Sequence, residues 1–217
     1  MTVTIHPMKI TIFGATGMVG QAILKEALSR EHEVTAVVRD VSRLTEKHER
    51  LHVVQGDIMD PASVEEHTKG REAVISAYGP KFGSEAELVE AARSLVEGVR
   101  RSGAKRLLVI GGAGSLMTDE GVRLMDTPSF PAEVYPLAKA HADAYEIYSQ
   151  SDLEWSYLSP AAVLEDGRRS GNFRIGIDRL ITDELGTSRI TTGDLAAALI
   201  DEMEDPYFVA SRFTAAY

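Results

Sequence analysis

Three glycines, Gly14, Gly17 and Gly20, stand at equal intervals in the stretch KITIFGATGMVGQ, directly after an apolar, β-branched run and directly before AILKEALSR. In a strand–turn–helix unit the first glycine lets the chain turn tightly off the strand. The second removes a side chain where a pyrophosphate must approach the backbone, and the third lets the helix pack closely on the sheet. The helix that starts there turns unpaired amides and the positive end of its dipole toward the turn, an anion site that needs no charged side chain. Gly14, Thr16, Gly17, Met18, Val19 and Gly20 are therefore expected to hold the phosphates of a dinucleotide. Glycine spacing by itself also suits an ordinary βα turn; the strand before it, the helix after it and its place at the head of a βαβ series favour the dinucleotide.

The rest of the chain repeats the same unit. Strands are expected at Met8 to Phe13, Glu33 to Val38, Leu51 to Gln55, Glu72 to Tyr78, Arg106 to Gly112 and Glu154 to Ser159. Helical periodicity runs over Met18 to Ser29, Pro61 to Thr68, Glu85 to Ser102 and Pro136 to Gln150. Strand and helix in strict alternation imply right-handed crossovers and an α/β fold, a doubly wound Rossmann-type parallel sheet with helices on both faces. With 217 residues, 44% of them hydrophobic, one large domain over residues 8–217 is expected, preceded by an extension of residues 1–7. After SPAAVLEDG the pattern breaks into short pieces, a helix GDLAAALIDEME and a last strand near SRFTAAY. Residues 160–217 are read as a small cap on the substrate side of the sheet.

Charge and composition narrow the partners. A net charge of −10 argues against broad binding to a nucleic-acid backbone, so an anionic ligand must meet a local basic cluster. The apolar runs are strand-length, short of the roughly 20 residues that span a bilayer, and no membrane partner is expected. Cysteine is absent, which removes disulfides, thiolate ligands and a cysteine nucleophile. No secretory pattern opens the chain, and a cytoplasmic location is the default. The six histidines lack metal-ligand spacing, so no metal is expected.

The second strand leads into VVRDVSRL, with Arg39 at its end and Arg43 four positions on. A carboxylate at this place accepts the ribose hydroxyls of NAD, whereas arginine accommodates the 2′-phosphate of NADP. Two guanidiniums suit a phosphate, so NADP(H) is favoured over NAD(H), with Asp40 keeping NAD open. Asp57 and Ile58, in GDIMD, are expected against the adenine; Ala77, Tyr78 and Gly79 at the fourth strand end, and Gly112 in GGAGS at the fifth, are expected to leave room for the cofactor in one continuous crevice. Glu85, Glu87 and Glu90 read as a solvated helix face, and His141 as lying on the polar side of its helix.

Taken together, GATGMVG, VVRDVSRL, GDIMD, LLVIGGAGSL, EWSYLSPAAVLEDG, TSRITTGDLAAALIDEME and RFTAAY resemble the atypical short-chain dehydrogenase/reductase superfamily, in particular its NADH-flavin reductase-like and biliverdin reductase B-like group with NmrA-like relatives. The resemblance covers nearly the whole chain from Met8. It implies a nicotinamide-binding fold, Arg39 and Arg43 on the adenosine phosphate, and a nicotinamide pocket lined by Ser159 to Val163, including Pro160, Ala161 and Ala162. Many short-chain dehydrogenases use a tyrosine four residues before a lysine, and YPLAK offers Tyr135 and Lys139 as candidate catalytic residues. Pro136 pushes the residue before it out of helical backbone, so Tyr135 is expected at a helix entrance with Lys139 exposed one turn on. Ser115 is the candidate serine partner; the group's serine aligns nearer Gly112, so a role for Ser115 requires a shifted loop.

The function expected is an NAD(P)H-dependent oxidoreductase passing hydride to a flavin-like or other small conjugated acceptor, chiefly by orienting the two rings. The alternatives are an NmrA-like redox sensor that binds the dinucleotide without turnover, and a nucleotide-sugar epimerase, which calls for a working tyrosine–lysine pair. Composition and spacing leave the oligomeric state open.

Overall fold

The computed structural model describes residues 6–217, so most of the expected N-terminal extension lies outside the described residues. Ten strands and five α-helices follow in chain order: β1 Lys9–Phe13, α1 Met18–Ser29, β2 Glu33–Val38, β3 Leu51–Gln55, α2 Pro61–Thr68, β4 Ala73–Ser76, α3 Glu87–Ser102 and β5 Arg106–Ile110. Then come α4 Tyr135–Ser149, β6 Glu154–Pro160, β7 Val163–Glu165, β8 Arg174–Gly176, β9 Arg189–Thr191, α5 Thr192–Glu204 and β10 Ser211–Ala216. The main sheet runs β3-β2-β1-β4-β5-β6-β10-β8, parallel except for the antiparallel edge strand β8; β7 and β9 form a separate parallel pair.

Both faces of the sheet are buried, and this is why its strands read as continuous apolar runs. In β1, Ile10 and Ile12 face α1 and α5, meeting Ile23, Leu24, Leu195 and Leu199, while Phe13 faces Leu88 and Leu95 of α3. Helix α3 buries Leu88, Ala91, Leu95 and Val99, a stripe at helical spacing, and ends at Gly103, whose φ of 77° lies in the left-handed region that favours glycine. No helix among the described residues is long and apolar enough to cross a membrane.

The tail departs from the reading of residues 160–217 as a cap. Helix α5 packs on α1, and β10 pairs in parallel with β6, so both belong to the core of the doubly wound fold. Buried polar groups fasten them there. Arg106 of β5 donates to Glu202 of α5 and, at 2.8 Å, to the Ser156 hydroxyl, while Glu202 also accepts from the backbone amides of Tyr207 and Phe208 at 2.9 and 3.0 Å. Of the stretch between β6 and α5, β8 joins the main sheet at its edge, and the β7–β9 pair stands apart from it.

Candidate functional site

At the carboxyl ends of β1 to β4 a cavity of about 480 Å³ opens. Its floor is the glycine turn, and the three glycines have separate physical reasons. Gly14 adopts φ 83°, and a Cβ there would stand 2.5 Å from the Ala77 carbonyl oxygen, so this residue lets the β1 turn lie against the end of β4. A Cβ at Gly20 would lie 2.0 Å from the Gly14 carbonyl oxygen; this glycine packs α1 against its own turn and does not line the cavity. Gly17 is different. It is exposed, extended at φ −79°, and a Cβ would meet nothing closer than the Gly14 carbonyl oxygen at 3.5 Å. The fold tolerates a side chain at Gly17; a ligand in the cavity would not.

Helix α1 begins at this floor with no side-chain cap and no acid in its first turn. By contrast, Asp60 caps α2 and Thr191 caps α5, the latter with Asp194 in its first turn. The amides of α1 are thus left for an anion.

One wall carries Arg39, Asp40 and Arg43. Neither arginine forms an ion pair among the described residues, although eleven other lysine and arginine side chains, Arg30, Arg50 and Arg100 among them, do. Asp40 is engaged differently: its Oδ1 accepts from the Ser42 hydroxyl at 2.7 Å and the Ser42 amide at 3.0 Å, bonds that hold its carboxyl below the usual range. It caps the short turn Val41–Arg43 that presents Arg43. The opposite walls hold Asp57, Ile58 and Met59 after β3, and Ala77, Tyr78, Gly79 and Lys81 after β4.

Glu87 and Glu90 of α3 also line the cavity, correcting their reading as a plain solvated face. Tyr78 donates its hydroxyl to Glu87, and burial, reinforced by that carboxylate, pushes the phenol well above its ordinary range. Sequence reasoning missed these acids and Lys81 because no motif surrounds them; only the crossing of α3 behind the end of β4 turns them inward.

The cavity stops at β4. At the end of β5 the glycines make room for neighbouring side chains. A Cβ at Gly111 would stand 1.9 Å from the Tyr157 ring, one at Gly112 would meet the His141 ring at 2.9 Å, and one at Gly114 the Ala138 Cβ at 2.6 Å. Gly112, Pro160, Ala161 and Ala162 are consequently not part of the cavity lining; Pro160 and Ala161 are buried, and Ala162 is exposed with its amide on Ser188 Oγ at 3.2 Å. His141 faces inward against Gly112, not along the polar side of its helix. It keeps some exposed surface, but enough protein surrounds the imidazole to push it down to about 4.

The three candidate catalytic residues are not brought together at this cavity. Tyr135 is the first residue of α4 although Pro136 follows it, one position ahead of the helix start expected at Pro136, and its ring meets Phe130 edge to face. Lys139 points into solvent and pairs with Asp143 at 2.6 Å. Ser115 Oγ accepts from Arg212 at 2.8 Å, and Arg212 also reaches Asp178 at 2.9 Å and lies over the Tyr145 ring. Ser115 is thereby an anchor for its loop.

A family model described as NAD(P)H-binding matches residues 14–206. The chain is 41% identical to the Bacillus subtilis protein YwnB over 211 residues, 95% of this chain and 97% of YwnB. A solved Bacteroides thetaiotaomicron protein provisionally designated an epimerase is 40% identical, with a TM-score of 0.91 and 98% of each chain covered. SP1627 of Streptococcus pneumoniae, provisionally designated an NADH-flavin reductase, is 34% identical with a TM-score of 0.86, covering 96% of this chain and 99% of that one.

Proposed function

The chain belongs to the NAD(P)H-binding family, and from that premise we propose that it is an NADPH-dependent oxidoreductase acting on a flavin-like or other small conjugated acceptor. The observation that carries the cofactor half is the conjunction of an uncapped α1 terminus, a glycine at 17 that leaves its Cβ space empty, and two unpaired arginines on one wall. The amides of Met18 and Val19 would take the pyrophosphate, the Gly17 amide already donating to the Gly14 carbonyl at 3.1 Å, and Arg39 and Arg43 the 2′-phosphate. Asp40, turned to its Ser42 cap, is poorly placed to take ribose hydroxyls, which supports NADPH over NADH.

A reduced nicotinamide, when bound, supplies the hydride; the protein's task is to orient it and keep the partner ring against it. With Tyr135 and Lys139 apart from the cavity, solvent is the proton source, which suits a flavin better than a carbonyl. The provisional designation of SP1627 agrees with this choice of acceptor, and that of the Bacteroides relative as an epimerase fits less well with a tyrosine and a lysine that do not line the cavity.

One observation favours a second reading, a sensor that binds the dinucleotide without turnover: none of Ser115, Tyr135 and Lys139 lines the cavity. NADPH binding measured by titration, beside steady-state NADPH oxidation with flavin mononucleotide, quinones and aldehydes, separates the two. Turnover with the flavin is expected; tight binding with no oxidation by any acceptor would establish the sensor instead.

A further inference from the structure

Lys81 is a third cation on the cavity lining, beside Arg39 and Arg43, and it too forms no ion pair among the described residues. Its backbone is tied down. The Lys81 carbonyl accepts from the Ser84 amide at 2.9 Å, Gly83 bends the chain at φ 87° and donates its amide to Glu85 Oε1 at 2.8 Å, and the Ser84 carbonyl accepts from the Glu87 amide at 3.0 Å where α3 begins. Phe82 stands at the tip of this turn with 88% of its surface exposed. One exposed aromatic is ordinary on a protein surface. An aromatic held on a hydrogen-bonded turn, next to an unpaired cation on a cavity wall, matches a flat ring that carries an anion.

The sheet order tells which anion. Strands β2 and β4 flank β1, so Arg39 and Arg43 after β2 stand on the opposite side of the glycine turn from Lys81 after β4. A dinucleotide with its 2′-phosphate on the arginines and its pyrophosphate on the turn sends its nicotinamide half toward the Lys81 side, and that half carries no further phosphate. Two sources of phosphate remain for Lys81, the far side of the pyrophosphate or the acceptor. The uncapped α1 terminus already serves the pyrophosphate, and holding a pyrophosphate gives Phe82 no role. An acceptor that joins a planar ring to a phosphate arm engages both side chains.

Resting on the oxidoreductase reading above, we infer that the acceptor is a phosphorylated flavin-like ring, its phosphate on the Lys81 ammonium and its plane against the Phe82 ring. Lys81 sets the preference for a phosphorylated acceptor over a neutral one, and Phe82 adds affinity for either.

Flavin mononucleotide and riboflavin share one ring system and differ in the phosphate, so steady-state NADPH oxidation with each, beside NADPH titration, tests the assignment. In the wild type kcat/KM for the mononucleotide should exceed that for riboflavin about tenfold, the size of one charged hydrogen bond. Lys81→Met should bring the ratio to about one by raising KM for the mononucleotide, with NADPH affinity unchanged, and Lys81→Arg should keep most of the preference. Phe82→Ala should raise KM for both flavins several-fold and leave the ratio alone. Equal use of the two flavins by the wild type, unchanged KM values in Phe82→Ala, or a Lys81→Met variant that loses NADPH affinity while keeping the ratio overturns the assignment; the last result would put Lys81 on the pyrophosphate. In each of these cases NADPH oxidation persists and the oxidoreductase reading stands. NADPH binding without oxidation by either flavin or any other acceptor removes that reading, and this inference with it.

Discussion

At the scale of single residues the glycine motif divides into parts with opposite expected outcomes. Gly17→Val adds a side chain where the fold has room and the ligand does not, so the variant should melt close to wild type and lose measurable NAD(P)H binding in titration. Gly20→Ala does the reverse: its Cβ would stand 2.0 Å from the Gly14 carbonyl oxygen, and overpacking of this kind costs about 1–3 kcal/mol, visible as a lowered denaturation midpoint. The arginines separate the two cofactors. Replacing Arg39 and Arg43 together with alanine should weaken NADPH far more than NADH, since only NADPH has the 2′-phosphate and a charged hydrogen bond contributes about 1.5–3 kcal/mol. Equal losses for both would assign the arginines to the shared phosphates. For Tyr135→Phe and Lys139→Met, kcat with flavin mononucleotide should drop by less than the roughly 100-fold that removal of a general acid costs. A loss of several hundred-fold in each, with cofactor affinity intact, would mean that α4 swings its first turn over the acceptor.

Elements are held by buried polar ties as much as by apolar surface. Helix α5 is tied to β5 in the middle of the sheet through Arg106 and Glu202, both almost fully buried. Burial lowers the Arg106 pKa, and the Glu202 charge opposes that effect. Glu202→Ala strands the guanidinium without its partner, a change that typically destabilises by about 3–5 kcal/mol, whereas a joint replacement of Arg106 and Glu202 by apolar residues of similar volume should cost much less. Chemical denaturation of the two variants tests this, and equal losses would show that the pair acts only through its volume. The elements themselves were largely legible: α1, α2, β2 and β3 fall on the residues that periodicity assigns, because each carries a clear apolar period and a glycine, proline or polar cap at its boundary. Strands β4 and β5 end two residues short of the expected Tyr78 and Gly112, because an apolar or small residue does not by itself mark where strand pairing stops.

The whole molecule couples its folding to pH through groups that no motif marks. Folded His141 sits at about 4, below the ordinary 6.5, so between these values the unfolded chain binds a proton that the native chain does not. Stability should therefore fall as pH drops from about 6.5 to about 4, by up to about 3 kcal/mol, and this part of the loss should be missing in His141→Gln when denaturant midpoints are compared. Asp194 adds a second, lower window. Burial would raise its carboxyl, but hydrogen bonds from Ser170, Tyr217 and the Gly171 backbone outweigh that and hold it below 3.8; its contribution persists above that range and is lost as pH falls through the depressed value. The sequence alone determined the doubly wound sheet, the glycine turn and the basic pair after β2, because each depends on local spacing along a single strand–turn–helix unit. Only the tertiary structure decided that α5 and β10 complete the core, that Glu87 and Tyr78 line the cavity, that Tyr157 and His141 pack where side chains at Gly111 and Gly112 would stand, and that Ser115, Tyr135 and Lys139 do not line the cavity. Those are contacts between segments distant in the chain, where the same glycine or carboxylate can serve a ligand, a neighbouring ring or solvent, and only the packing of the other segment selects among them.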